Sequence, residues 1–190
     1  MFVINYAVIK KNDIANGVGV RVSLFVSGCR HKCKNCFNSE AWDFNYGKKF
    51  TEETISEITE ALDNDYVRGL SLLGGEPFEP ENQEDILKLL SVVSDKFPDK
   101  DIWCYTGFGF DTDLAAGKVG NPDTVKKILS LLDVIVDGKY IEKLKDASLL
   151  FRGSANQRII DVKKSLAENK VILLPGKWER KMGSGNIEDA

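Results

Sequence analysis

No stretch of this sequence is long or apolar enough to span a bilayer, and none alternates Lys or Arg with aromatic residues as a nucleic-acid groove requires. Neither sign of charge dominates, since 26 Lys and Arg stand against 29 Asp and Glu for a formal charge of -3. These absences exclude a transmembrane helix and argue against both a membrane and a nucleic acid as partner. A secretory leader is missing as well, because residues 1–8 run at once into Lys10, Lys11 and Asp13 rather than into a longer apolar run and small residues. Cysteine is scarce, with four residues. The compartment these features indicate is the cytoplasm, where thiols stay reduced and clustered cysteines read as metal ligands before disulfides.

What is present is enough apolar material for one core. At 190 residues and 43% hydrophobic content, the chain suits a single domain better than two. The composition turns polar and Gly-rich from Gly176, so a domain over residues 1–175 and a flexible tail over 176–190 are expected. No internal repeat is visible.

Apolar runs of strand length alternate with segments of helical period, the pattern of parallel βαβ units. Residues 19–27 (GVRVSLFVS) read as a first buried strand that ends at Gly28. Thr51 reads as an N-cap, with Glu52 and Glu53 in the first turn and Ile55, Ile58 and Leu62 on one face. A second strand over residues 69–73 runs into Gly74, Gly75, Glu76 and Pro77. It is followed by a helix with the stripe Ile86, Leu89, Leu90 and Val93. Residues 101–106 (DIWCYT) form a third strand, and Asn121 with Pro122 opens a further helix. Residues 133–137 (DVIVD) form a fourth strand, and residues 158–162 are strand-like. About five βα units are too few for a full eight-fold barrel of ~250 residues. The fold expected is α/β, a partial, open βα barrel with a parallel sheet. The chemistry of such a sheet lies at the carboxyl ends of its strands.

Cys29, Cys33 and Cys36 form the spacing CxxxCxxC in one short loop, while Cys104 lies in a distant strand. A cubane held by three thiolates leaves one iron without a protein ligand, whereas ferredoxin-type carriers use four cysteines per cluster. The competing reading is a zinc knuckle with His31 as fourth ligand. It lacks the second CxxC-like pair that such sites normally use. Cys104 reads as a buried strand cysteine that behaves as a small hydrophobe.

Six segments resemble the radical SAM superfamily and, within it, the activating proteins of anaerobic ribonucleoside-triphosphate reductase. They are DIANGVGVRVSLFVSGC (13–29), CRHKCKNCFN (29–38), LLGGEPF (72–78), WCYTGF (103–108), DVIVDGKY (133–140) and FRGSANQRIID (151–161). The spacing CxxxCxxC alone marks only the superfamily. The CxHxC variant, GGEP and RGSxNQ in succession are far more specific. The resemblance implies a radical SAM type fold and a [4Fe-4S] cluster on Cys29, Cys33 and Cys36, with S-adenosyl-L-methionine (SAM) chelating the open iron. One electron from the cluster would cleave SAM to a 5'-deoxyadenosyl radical. That radical would generate a glycyl radical on the large subunit of the anaerobic ribonucleotide reductase, the electron coming from a low-potential donor such as flavodoxin or ferredoxin.

Gly74 and Gly75 suit the SAM methionyl group, because glycines let backbone carbonyls approach an ammonium, and Glu76 can complete or orient that site. Thr106 is a candidate SAM contact or turn cap. Alternation places it with Ile102 and Cys104, opposite Trp103 and Tyr105. Asp137 and Lys139 are candidates for the ribose or the methionyl carboxylate, although Asp-Gly after a strand is also an ordinary turn. Arg152, Asn156 and Gln157 bunch around a Gly-Ser turn, either as a solvated loop or as groups that bind SAM or grip the reductase. His31 reads as a loop or electron-entry residue, and Phe37 and Trp42 as cluster shields or partner contacts. Two other functions stay open: an activase of another glycyl-radical enzyme or a small-molecule radical SAM enzyme, and a non-catalytic zinc or iron-sulfur module.

Overall fold

The computed structural model describes residues 3–178. In chain order the strands are β1 (Asn5–Asp13), β2 (Val20–Val26), β3 (Lys48–Lys49), β4 (Val67–Gly74), β5 (Asp101–Tyr105), β6 (Val134–Asp137) and β7 (Arg158–Asp161). The helices are α1 (Glu52–Leu62), α2 (Gln83–Lys96), α3 (Pro122–Leu131) and α4 (Val162–Glu168). The strands make one sheet in the order β3-β1-β2-β4-β5-β6-β7. Its middle is parallel, β2 to β4 to β5 to β6, and its flanks are antiparallel. The fold is therefore mixed α/β.

Caps define the helices. Thr51 and Thr54 close a capping box on α1, with Thr54 Oγ1 accepting the Thr51 N–H at 3.1 Å. The Asn121 side chain accepts from Asp123 and Thr124 at the start of α3, whose first residue is Pro122. The apolar stripes of α1, α2 and α3 join Val22, Leu24, Leu70, Leu72, Ile102, Cys104 and Ile135 in one core. Parallel strands that follow one another without reversal, joined by crossovers of one hand, put their helices on the same side of the sheet. The opposite face carries Arg21, Ser23, Ser71, Trp103, Tyr105, Val134 and Val136, as the registers require. Arg21 is fully buried there. It pairs with Asp101 at 2.6 Å and donates to Ser71 Oγ and to the Leu70 and Asp101 carbonyls.

The structure departs from the sequence reading at both flanks. β1 and β3 had no counterpart in it, because β3 is two residues long and β1, which it covers only at Asn5 and Tyr6, is otherwise an edge that mixes Lys10, Lys11 and Asn12 among its apolar residues and shows no continuous apolar run. The five βα units expected reduce to three complete crossovers, since β7 runs antiparallel to β6. Residues 138–157 hold only a short 3-10 turn at Glu142–Leu144. With no helix to carry the chain back across the sheet, this segment stays at the carboxyl end of β6, and β7 must start there. The expected tail over 176–190 is described only to Trp178, and residues 179–190 lie outside the described residues. Trp178 stands edge-on to Trp103 and Phe151 at 6.4 and 5.9 Å, so packing continues at least that far. No helix among the described residues is long and apolar enough to cross a membrane.

Candidate active site

The carboxyl ends of β2, β4, β5 and β6 open into one cavity of about 470 Å³, lined by Cys29, Cys33 and Cys36, by Gly74, Gly75, Glu76 and Thr106, and by Arg152. Its size is that of a small-molecule site. Eight of the ten residues singled out for binding thus meet on one wall system. The other two do not line it. Asp137 is buried, and its carboxylate accepts from Arg158 and from the Phe110 N–H at 2.7 Å. Lys139 is exposed beside the rim.

The cysteine loop is folded by its backbone. The chain is left-handed at Lys32 (φ 47) and Asn35 (φ 58), each one residue before a cysteine, and Cys36 N–H donates to the Cys33 carbonyl at 3.1 Å. These turns gather three thiols into one loop on one cavity. The loop is tied down on both sides. Cys29 N–H donates to the Trp42 carbonyl at 3.2 Å. Arg30 N–H donates to Glu79 Oε1 at 2.6 Å, and its guanidinium pairs with Glu79 and Glu81. His31 Nε2 meets Glu76 Oε2 at 2.9 Å, and its ring stands 4.5 Å edge-on from Phe108.

Glu76 is the centre of this construction. It is 1% exposed, and besides His31 it accepts from Gly107 N–H (2.7 Å), Thr106 Oγ1 (2.8 Å) and Phe78 N–H (3.0 Å). A carboxylate offers about four lone-pair sites, and protein donors take four. Glu76 therefore orients the site by joining the cysteine loop, the turn after β4 and the turn after β5. Thr106 acts through it. The two glycines before Glu76 have steric reasons to be there. Gly74 has φ +110, and a Cβ on Gly75 would lie 2.5 Å from the Gly28 carbonyl oxygen. The turn after β4 thereby sits directly against the start of the cysteine loop.

All four cysteines are free. Cys104 is fully buried among core residues, and burial pushes its thiol well above the ordinary range. His31 has spent Nε2 on Glu76. Among the described residues no three His, Cys, Asp or Glu side chains converge on a point that one metal ion could fill. The three thiols are instead spaced around a cavity, which fits a multi-iron cluster that takes each sulfur on a separate iron. Two further observations fit a polar ligand beside it. Tyr105 Oη and Arg152 Nε, both on residues of the cavity wall, are buried and lack protein hydrogen-bond partners. Sequence reasoning had assigned no site role to Tyr105, Leu149 or Phe151; Tyr105 and Phe151 lie inside the WCYTGF and FRGSANQRIID segments, and no motif marks Leu149. Ala15 and Asn16, which it had included in the DIANGVG match, also line the cavity. Asn156 and Gln157 serve as staples, Asn156 donating to the Lys139 carbonyl and Gln157 to the Gly138 carbonyl.

Burial pushes the Cys29 thiol up to about 12, and burial also raises Cys33 against the opposing charge of Lys139. A metal that took these thiols would have to displace protons held more tightly than usual. A thiol raised in the folded chain stabilises it fully below the unfolded value of 9.0, and that contribution is lost as pH climbs from there toward about 12. Metal-free protein is expected to lose urea resistance across this window, and Cys29→Ala to show a shallower decline. Equal slopes in the two proteins would refute the assignment.

A family described as a 4Fe-4S single cluster domain matches residues 15–160. The chain is 43% identical over 157 residues to the anaerobic ribonucleoside-triphosphate reductase-activating protein of Enterobacteria phage T4, covering 82% of this chain and 92% of that protein. It is 42% identical over 147 residues to the protein of the same description from Escherichia coli (strain K12), covering 76% and 90%. With that from Vibrio cholerae it shares 41% over 149 residues, covering 77% and 91%.

Proposed function

The chain belongs to the family of anaerobic ribonucleoside-triphosphate reductase-activating proteins, and from that premise we propose that it is the activating enzyme of such a reductase, with one [4Fe-4S] cluster on Cys29, Cys33 and Cys36 and SAM in the adjoining cavity. The observation that carries this reading is that three free thiols, two orphaned donors and the Gly74 and Gly75 turn share one cavity of ligand size. Held by Cys29, Cys33 and Cys36, such a cluster would supply the electron that splits SAM into methionine and a 5'-deoxyadenosyl radical, and that radical would take hydrogen from a glycine Cα of the large reductase subunit.

The chain's own residues bind, orient and exclude water. Carbonyls of the Gly74 and Gly75 turn accept from the SAM ammonium, and Arg152 Nε donates to its carboxylate. Tyr105 Oη supplies a further donor from the floor, where burial keeps it protonated. Glu76 holds these parts in register without touching the ligand. Leu73, Leu149 and Phe151 form an apolar lining that keeps water from a reactive carbon radical. Asp137 serves as a buried anchor for Arg158, and Lys139 as a rim charge. The consecutive parallel strands with helices on one side support a partial, open βα barrel of radical SAM type. The cytoplasm is the compartment that keeps such thiols reduced, and a flavodoxin or ferredoxin is the class of donor with a low enough potential.

Anaerobic reconstitution with SAM, a strong reductant and the large reductase subunit tests the reading. Formation of 5'-deoxyadenosine together with a glycyl radical signal in electron paramagnetic resonance is expected. Absence of the nucleoside would overturn the radical mechanism. Its presence without a radical on the reductase, but with one on another glycyl-radical enzyme, would overturn the substrate.

A further inference from the structure

The mouth of the cavity is cationic although the chain as a whole is anionic. Lys145 and Arg152 line the cavity, Lys32, Lys34 and Lys139 are exposed residues each flanked in the chain by two lining residues, and Lys143 is exposed two residues before Lys145, against only Glu142 and Asp146 in the same two segments. Asp146 is turned onto the Ser148 N–H and hydroxyl. Among the described residues none of the five lysines is in an ion pair. Arg30 differs, being neutralised by Glu79 and Glu81. The two segments adjoin: Asn35, Cys36 and Phe37 of one and Gly138, Tyr140 and Lys145 of the other line the same cavity.

Apolar side chains stand out among these charges. Phe37 is 83% exposed, Leu144 43% and Ile141 42%. Single exposed hydrophobes are normal, but three of them on the two segments around one opening have the anatomy of apolar anchors inside a charged rim. Any polypeptide that brings a glycine Cα–H to the cavity has to pass this opening and touch its edge.

We propose that the collar made by residues 32–37 and 139–145 is the docking surface for an acidic, glycine-bearing face of the reductase's large subunit. The inference rests on the activity proposed above, because only that activity requires a protein segment to enter the cavity. A protein electron donor has no such requirement, since it needs only to come near the cluster and not to cover the mouth. The collar's charge steers the encounter, and its anchors hold the docked face.

The test uses the reconstituted enzyme and a Lys143→Glu/Leu144→Ser double variant, on a turn outside the ligand-binding residues. SAM cleavage without reductase, driven by dithionite, is expected to stay within about two-fold of the parent. Glycyl radical formation at limiting reductase is expected to fall at least about five-fold, with a weaker dependence on salt than in the parent, and Lys143→Arg is expected to behave as the parent. Unchanged radical formation at limiting reductase would overturn the proposal. So would an equal fall in reductase-free cleavage, which would assign these residues to cluster or SAM binding. A defect seen with a flavodoxin but abolished by dithionite would assign the collar to the electron donor instead. If the parent itself cleaves SAM without producing a glycyl radical, the proposed function fails, and that result is read before any variant is compared.

Discussion

Single replacement of Cys29, Cys33 or Cys36 by Ala is expected to reduce iron-sulfur absorbance and SAM cleavage to background, while Cys104→Ala keeps both. The three thiols share one loop and one cavity, and a cubane with only two protein ligands loses the grip that keeps it from dissociating. Cys104 is in the core beneath the sheet, so its truncation removes one buried sulfur and costs about 1 kcal/mol of stability. Iron and sulfide analysis after anaerobic reconstitution, alongside 5'-deoxyadenosine yield, checks both halves. Full cluster content after any one of the three loop replacements would defeat the ligand assignment. Loss of the cluster on changing Cys104 would place a fourth ligand where the fold has none.

Glu76→Ala is expected to be the most damaging change that leaves the cysteines intact. It strips the partner from Thr106 Oγ1, Gly107 N–H, Phe78 N–H and His31 at once. Each buried donor left bare costs about 1–3 kcal/mol, and water entering the gap relieves part of it. A net loss of about 3 kcal/mol or more is expected, out of the ~5–15 kcal/mol that holds a domain together. Glu76→Gln discriminates a positioning role from a volume effect. It preserves shape, yet its amide nitrogen must face donors already present, so it is expected to resemble Ala in SAM affinity while retaining iron. Thr106→Val removes one of the four bonds and is expected to fall between the parent and Glu76→Ala. Urea midpoints and the SAM-induced change in the cluster's paramagnetic resonance spectrum separate stability from positioning. A Gln variant with the parent's SAM affinity would show that the carboxylate's hydrogen bonds do not organise the site.

The parallel centre of the sheet was legible because β2, β4, β5 and β6 are buried on both faces and read as continuous apolar runs closed by glycines. Alternation correctly set Ile102 and Cys104 against Trp103 and Tyr105. β1 escaped because edge strands mix polar and apolar residues. The direction of β7 escaped because it depends on a connection, residues 138–157, that has almost no periodicity to read. Asp137 illustrates the limit at the site. A carboxylate at the end of a parallel strand is a fair candidate for a ligand contact, but whether it faces the cavity or an arginine on the neighbouring strand is set by the pairing of Asp137 with Arg158.

Spacing alone determined that Cys29, Cys33 and Cys36 would lie together, since three thiols within eight residues are neighbours in any compact fold of so short a loop. The family, too, was readable from motifs that lie locally along the chain. Only the tertiary structure decided that Glu76 spends its carboxylate on protein donors, that Tyr105 and Arg152 of the cavity wall keep buried donors without a protein partner, and that two lysine-bearing segments a hundred residues apart border one mouth. Those facts depend on strand register and on contacts between distant residues, and no local pattern encodes which distant partner a side chain will meet.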